Sequence, residues 1–364
     1  MPAHREFGSF DWPMFLAVMM VCGIGLLMLH SATFQNPAVE GLAARQAIWM
    51  LIGLCAMMII VAIDYQTIAE FVNLIYVGAI AALVYLVLFG RVVSGSRAWM
   101  QIGPVSIQPS EPVKIIVVLA IAAYVAALNA PRLGLANLVS LALIGGIPMG
   151  LIILQPDFGT AVTLVPALLA TVFVAGLEVR VLLVLLLLMA LAFPVAWFTY
   201  FKAYQKERIL TFFDPSRDPT GAGYQIRQSK IAVGSGGLTG KGLFQGTQSQ
   251  LQFLPAQHTD FIFAVMAEEL GFAGAGGLVA LYAFLTLRCL STAQLARDKL
   301  GRYISLGFGS ILGCQVLLNL GMVLGLAPIV GIPLPLMSYG GSSVLATLIG
   351  FGLVLNVRMR RFVN

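Results

Sequence analysis

Apolar blocks of about twenty residues alternate along this chain with short polar breaks. A helix crossing a bilayer needs about 20 mostly apolar residues. Ten blocks meet that length: 13–33, 45–63, 70–90, 110–128, 136–154, 157–177, 180–200, 260–287, 303–325 and 339–357. The sixth is joined tightly to the fifth through Gln155-Pro156-Asp157, so those two form a hairpin. The pattern predicts an all-α integral membrane protein, a polytopic bundle of about ten transmembrane helices. No transporter-type internal repeat is visible.

One break is long. Residues 201–259 are polar and rich in glycine, at Gly234, Gly236, Gly237, Gly240, Gly242 and Gly246. Within them Ile226, Ile231 and Val233 fall among polar residues, which predicts a short amphipathic helix inside Gly221–Leu238. Loops of this length in compact proteins are functional or disordered. The chain is read as one membrane domain over 1–364, with 201–259 as a large extracytoplasmic loop between helices 7 and 8.

Composition supports that reading. Of 364 residues, 59% are hydrophobic and 10% charged, against about 25% charged in soluble domains. The net charge of +6 does not mark a nucleic-acid binder, because the basic residues are scattered between apolar blocks. Their asymmetry instead sets orientation. With the N-terminus inside, ten basic residues fall in cytoplasmic segments: Arg5, Arg132, Arg180, Arg288, Arg297, Lys299, Arg302, Arg358, Arg360 and Arg361. Three fall in short outer loops: Arg45, Arg91 and Arg97. Both termini are expected in the cytoplasm, with 201–259 outside. The first block follows Glu6 and Asp11 and lacks a small-x-small cleavage site, so it reads as a retained helix. Cys22, Cys55, Cys289 and Cys314 lie in apolar runs without metal spacing and read as small buried hydrophobes.

Charge inside a spanning helix costs roughly 2.5–3.5 kcal/mol on insertion scales, so such residues are candidates for function. Glu111, Lys114, Asp157 and Asp260 all fall near the outer ends of their helices. Glu111 and Lys114 share a helix face three residues apart. They read either as a structural ion pair or as a pair that positions an anionic headgroup. Arg97, beside Trp99, is either an interfacial arginine or a substrate contact. Asp157 opens a helix after a proline and is either a cap or a site group. Asp260 lies where the polar loop enters the eighth span, and partial desolvation there raises a carboxylate toward general-base range. On a continuous helix, Glu268 and Glu269 lie about 12–14 Å deeper, too deep for chemistry with Asp260. They read as buried, hydrogen-bonded structural groups. The run Ser338-Tyr339-Gly340-Gly341-Ser342-Ser343 opens the last span with residues suited either to close packing or to polar contacts.

These motifs together resemble the SEDS family (shape, elongation, division and sporulation). The resemblance rests on Gly95-Ser96-Arg97-Ala98-Trp99, Gln108-Pro109-Ser110-Glu111-Pro112-Val113-Lys114, Gln155-Pro156-Asp157-Phe158-Gly159-Thr160 and His258-Thr259-Asp260-Phe261-Ile262-Phe263-Ala264, with the Ser338–Ser343 segment, in the family's order over nearly the whole chain. Gln257 and the Asn319–Gly325 run place it nearer the elongation branch than the division branch. The resemblance implies a peptidoglycan glycosyltransferase. It would polymerise lipid II at the outer face of the cell membrane and release undecaprenyl pyrophosphate. Asp260 would be the catalytic carboxylate, with Arg97, Glu111, Lys114, Asp157, His258, Ser338 and Ser342 binding substrate. The implied partners are a class B penicillin-binding protein and other elongation-complex membrane proteins. No cofactor is required by the sequence; a divalent cation, Mg or Mn, would suit the leaving pyrophosphate. A lipid II flippase and a non-catalytic scaffold for cell-wall synthases are the competing readings.

Overall fold

The structure, a computed structural model, describes residues 10–34, 39–90, 96–103, 105–128, 133–177 and 203–362, with isolated positions between 178 and 202. The helices expected to span are α1 (Trp12–Thr33), α2 (Leu42–Ala62), α4 (Val72–Phe89), α5 (Ser110–Ala127), α6 (Leu135–Leu154), α7 (Phe158–Val174), α11 (Ile262–Leu295), α12 (Lys299–Val323) and α13 (Gly341–Met359). All except α7 are long and apolar enough to cross a bilayer, and α7 is apolar over 17 residues. The short α3 (Tyr65–Glu70) links α2 to α4, and a two-stranded hairpin, β1 (Met100–Ile102) and β2 (Val105–Ile107), precedes α5. The expected span 180–200 lies outside the described residues apart from isolated positions, as do Arg5, Arg91, Gly95 and Arg132.

Side-chain caps set several helix starts. Asp11 accepts from Met14 N at 3.3 Å, and Asp298 from Gly301 N at 2.7 Å. Layering follows burial. The spanning window of α13 is 89% buried, whereas those of α4 and α6 are 22% buried. Thus α13 is the central post, packed on α2, and the outer helices present Leu51, Leu74 and Leu143 to the surrounding hydrocarbon. Close packing needs small residues: a Cβ on Gly352 would stand 3.0 Å from the Met57 carbonyl. Cys22 and Cys289 are buried as expected, but Cys55 is exposed on the outer side of α2.

Polar contacts gather at the two ends of the bundle. At one end Asp11 takes Arg288 at 2.8 Å and Arg358 at 2.7 Å, and Asp298 accepts from Tyr65 at 2.9 Å. The other end carries the long polar segment. There α8 (Ala203–Phe213), α9 (Ala222–Ser235) and the single turn α10 (Thr247–Gln250) lie in 203–259. The amphipathic helix expected within Gly221–Leu238 is α9; the sequence pattern gave no sign of α8.

One expectation needs correction. The eighth span is not continuous, because Gly271 breaks α11 with φ 64° and ψ −164°. Such a break strands backbone groups that must find partners in an apolar setting. The loop supplies them. Lys241 N donates to Glu268 O and Gly242 N to Glu269 O, each at 3.0 Å, while Phe272 N donates to Gly237 O at 2.9 Å. The first two turns of α11 therefore belong to the polar end. Glu268 and Glu269 are buried and hydrogen-bonded, as expected, but they are not deep. Glu269 accepts from Ser31, close to the last residue of α1, at 2.6 Å. Glu268 takes Lys241 at 2.7 Å and Gln248 N at 3.0 Å, both from the loop.

Candidate active site

Asp260 stands at the mouth of α11, two residues before its first turn. Its backbone carbonyl accepts from Asn319 of α12 at 2.9 Å, and the same amide nitrogen donates to Ile332 O at 2.8 Å. One buried amide thus ties the Asp260 segment to the 329–335 segment. The Asp260 carboxylate faces Gly331, where a Cβ would lie 3.6 Å from Oδ2. Burial raises the Asp260 carboxyl to about 6, and the charge of Arg208 of α8 acts against that shift. Arg208 itself donates to Ile329 O at 3.3 Å.

A hydrogen-bond chain runs from Asp260's neighbours to the other expected residues. Ser338 donates to Thr259 O at 2.5 Å and accepts from Leu334 N at 2.8 Å. Tyr339 N donates to His258 O at 2.9 Å. Gln46 of α2 braces this turn, donating to Ser338 O at 3.0 Å and accepting from Gly340 N at 3.1 Å. Ser342 accepts from Gln108 N at 2.9 Å, and the Gln108 side chain donates to Asp157 at 2.8 Å. Asp157 also accepts from Ser110 at 3.2 Å and caps α7 through Thr160 N at 3.2 Å. Ser96 donates to Gln155 O at 2.7 Å, and Arg97 N to the same oxygen at 3.2 Å. All four sequence motifs therefore meet at one end of the bundle.

They do not form one cluster. Lys114 and Glu111 make a 3.0 Å ion pair, each only 3% exposed, enclosed among α5 and its neighbours. Arg97 is exposed. Burial lowers the His258 pKa, so its ring is neutral near pH 7 and packs edge-on against Tyr339 at 6.4 Å. Sequence reasoning missed Asn319, Gln46 and Arg208 as site groups. The first two were detectable as uncharged polar residues inside apolar blocks; Arg208, one of several basic loop residues, carried no signal. A 290 Å³ cavity opens beside Arg208, lined also by Glu207, Thr211, Asp218, Gln225 and Ile329. Among the described residues, no three His, Cys, Asp or Glu side chains converge as a metal site. Asp157 is already engaged by three donors.

Fold and site define a polytopic helical membrane protein with a carboxylate-centred polar site at one end of its bundle. Residues 12–362 match the family model of the FtsW/RodA/SpoVE cell cycle proteins, and the chain belongs to that family. It is 40% identical over 351 residues to the peptidoglycan glycosyltransferase MrdB of Escherichia coli strain K12, covering 96% of this chain and 94% of that one. Its fold matches a chain of a peptidoglycan synthase complex in which polymerization and crosslinking are structurally coordinated, with TM-score 0.85, 34% identity and coverage of 98% and 99%. The crystal structure of Thermus thermophilus rod shape determining protein RodA matches with TM-score 0.73, 32% identity and 98% coverage of both chains.

Proposed function

We propose that this chain is a peptidoglycan glycosyltransferase, polymerising lipid II during cell elongation at the outer face of the cell membrane. Asp260 removes the proton from the acceptor sugar's 4-hydroxyl. The oxygen attacks the anomeric carbon of the donor's muramic acid, and the bond to undecaprenyl pyrophosphate breaks. An α-linked donor giving a β-linked product is a single inversion, which needs one base and a stabilised leaving group. The observation that carries the assignment is Asp260 itself. It is a half-buried carboxyl raised to about 6 and backbone-pinned by Asn319. A general base works best with a pKa near the working pH.

Arg97 and Lys114 are assigned to the departing pyrophosphate, with Glu111 holding Lys114. His258, Ser338, Ser342 and Asp157 shape the substrate-facing turns. Among the described residues no three His, Cys, Asp or Glu side chains converge, and the step is written with protein groups alone. The long loop and Asp260 are assigned to the outer side on the positive-inside count, which leaves both termini cytoplasmic. The identity to MrdB and the likeness to a chain of a synthase complex that couples polymerization to crosslinking support this reading, and the partner we assign is a class B penicillin-binding protein. The ion pairs of the described residues sit at the bundle ends, which favours an enzyme over a flippase.

The test is polymerisation of purified lipid II by the purified protein, alone and with its class B partner, comparing wild type with Asp260→Ala. Polymer from wild type and none from the folded, partner-bound variant supports the assignment. Equal polymer from both, or none from wild type with an active partner, sinks it.

A further inference from the structure

We propose that Tyr282 is a positioning residue for the site: from the far half of α11 it holds the turn 334–337 in a conformation its own sequence disfavours, and that turn seats Asp260. This deepens the glycosyltransferase reading and rests on it. Three observations carry it.

First, the turn is held against its sequence. Met337 N donates to Leu334 O at 3.2 Å, which closes a four-residue turn with Pro335 and Leu336 in its middle. Leu336 has φ 65°. Proline followed by positive φ is the pattern of a type II turn, which favours glycine or asparagine at the second central position. A leucine there is strained. Turning over the peptide between Pro335 and Leu336 would give a type I turn, with the same ends and a negative φ at Leu336. Such strain persists only where the surroundings enforce it.

Second, Tyr282 holds the group that would have to turn over. The carbonyl of that peptide is Pro335 O, and the Tyr282 hydroxyl donates to it at 2.5 Å. Tyr282 is 1% exposed and lies in the half of α11 beyond the Gly271 break. Breaking this bond in a buried setting would strand both the hydroxyl and the carbonyl. Gly25 of α1 walls in the next peptide: a Cβ there would stand 2.7 Å from Leu336 O and 2.9 Å from Met337 Cα.

Third, the turn seats the base. Ser338 follows it directly, accepts from Leu334 N at 2.8 Å and donates to Thr259 O at 2.5 Å. The geometry of the turn therefore sets where the hydroxyl that carries the Asp260 segment stands. Turning the peptide over would shift Ser338, and Thr259 and Asp260 with it. Thus α11 acts on the site twice: its first turn follows Asp260 in the chain, and its far half fixes the turn on which Asp260 rests.

The experiment uses the full-length protein with its class B partner and lipid II as substrate. Tyr282→Phe keeps the ring and removes the hydroxyl. It should fold, lower kcat about five- to fiftyfold as a displaced catalytic group does, and leave the lipid II KM within about twofold. Leu336→Gly in the Tyr282→Phe background should bring kcat back to within about threefold of wild type, because glycine takes positive φ without strain. Leu336→Asn, closer to leucine in size, is the second rescue variant. Leu336→Ala in that background loses much the same packing without the backbone freedom, and should not restore the rate. A merely structural role for Tyr282 predicts the reverse, with each lost contact adding to the first. Three results would overturn the positioning role: a Tyr282→Phe protein with kcat within about twofold of wild type, one that fails to fold, or folded glycine and asparagine doubles no faster than the alanine double. A wild-type protein that makes no polymer removes the glycosyltransferase reading, and this role with it; an active wild type with an unaltered Tyr282→Phe variant removes the role alone.

Discussion

Asn319 donates at 2.9 Å to the backbone carbonyl of Asp260, so a helix side chain fixes the position of a loop carboxylate. The amide is wholly buried and spends its second donation on Ile332 O at 2.8 Å, while its own Oδ1 has no partner. Asn319→Leu keeps the volume and removes both donations. A shift of about 1 Å in a catalytic group costs on the order of 100-fold in rate. Asn319→Leu should therefore lower kcat by roughly 10- to 100-fold, with lipid II KM changed far less. A variant with kcat within about twofold of wild type would show that the tether does not position the base.

The rate should also report the ionisation of Asp260. Its carboxyl is raised to about 6, chiefly by burial, with Arg208 opposing. A base must be deprotonated to act. Log kcat/KM should then be flat above about pH 7 and fall with unit slope below about pH 6. The sign for stability is opposite. A carboxylate with a raised pKa in the folded protein disfavours the fold once the pH exceeds its unfolded value near 3.9, and the cost is complete above about 6. Asp260→Asn should thus be inactive yet melt higher than wild type at pH 7.5, with that advantage shrinking as the pH falls toward 4. Arg208→Gln should move the kinetic midpoint upward. An unmoved midpoint would mean that Arg208 does not govern the base.

The sequence disclosed this architecture unevenly, for physical reasons. Hydrocarbon-length apolar runs make spanning helices plain, and the edges of α1, α5, α6 and α12 fall within a few residues of the expected spans. Charged motifs at one end were equally plain, since charge is rare in such helices. Gly271 was invisible as a break because glycine is common inside spanning helices, so the depth of Glu268 and Glu269 was misjudged. The loop helix α8 was missed because its polar sequence carries no membrane signal, and Arg208 was missed with it. Asn319 carries less signal still, because an uncharged polar residue in an apolar block stands out less than a carboxylate.

The Glu111–Lys114 pair can be separated into structural and chemical roles. Both side chains are 3% exposed and 3.0 Å apart. Removing one partner of a buried pair costs about 3–5 kcal/mol, whereas replacing both with apolar groups is often neutral. Lys114→Met should melt well below wild type, and Glu111→Leu with Lys114→Met should recover most of the loss. If Lys114 serves the leaving pyrophosphate, the recovered double variant stays inactive. Activity returning along with stability would reduce the pair to a structural role.

The loop's hold on α11 should matter as much as any side chain at the site. Gly240 has φ +80°, and a Cβ there would stand 2.1 Å from the Glu269 carbonyl. Both the backbone conformation and the contact demand glycine. Gly240→Ala should therefore push 237–242 off the first turns of α11, freeing the amides of Lys241 and Gly242 that now donate to Glu268 O and Glu269 O. Those turns begin two residues beyond Asp260, so their release loosens the base. Gly237 is the control: it too has positive φ, +56°, but a Cβ there meets nothing within 4 Å. Gly237→Ala should carry only the conformational cost, about 1–2 kcal/mol, with the loop still docked. Hydrogen exchange at Lys241 and Gly242 reads docking directly, alongside polymerisation rate. Gly240→Ala should lose amide protection and activity together, and Gly237→Ala should keep both. Equal protection in the two variants would mean that the close approach at Gly240 does not hold the loop, and the site's rigidity would then rest on Asn319 and Ser338 alone.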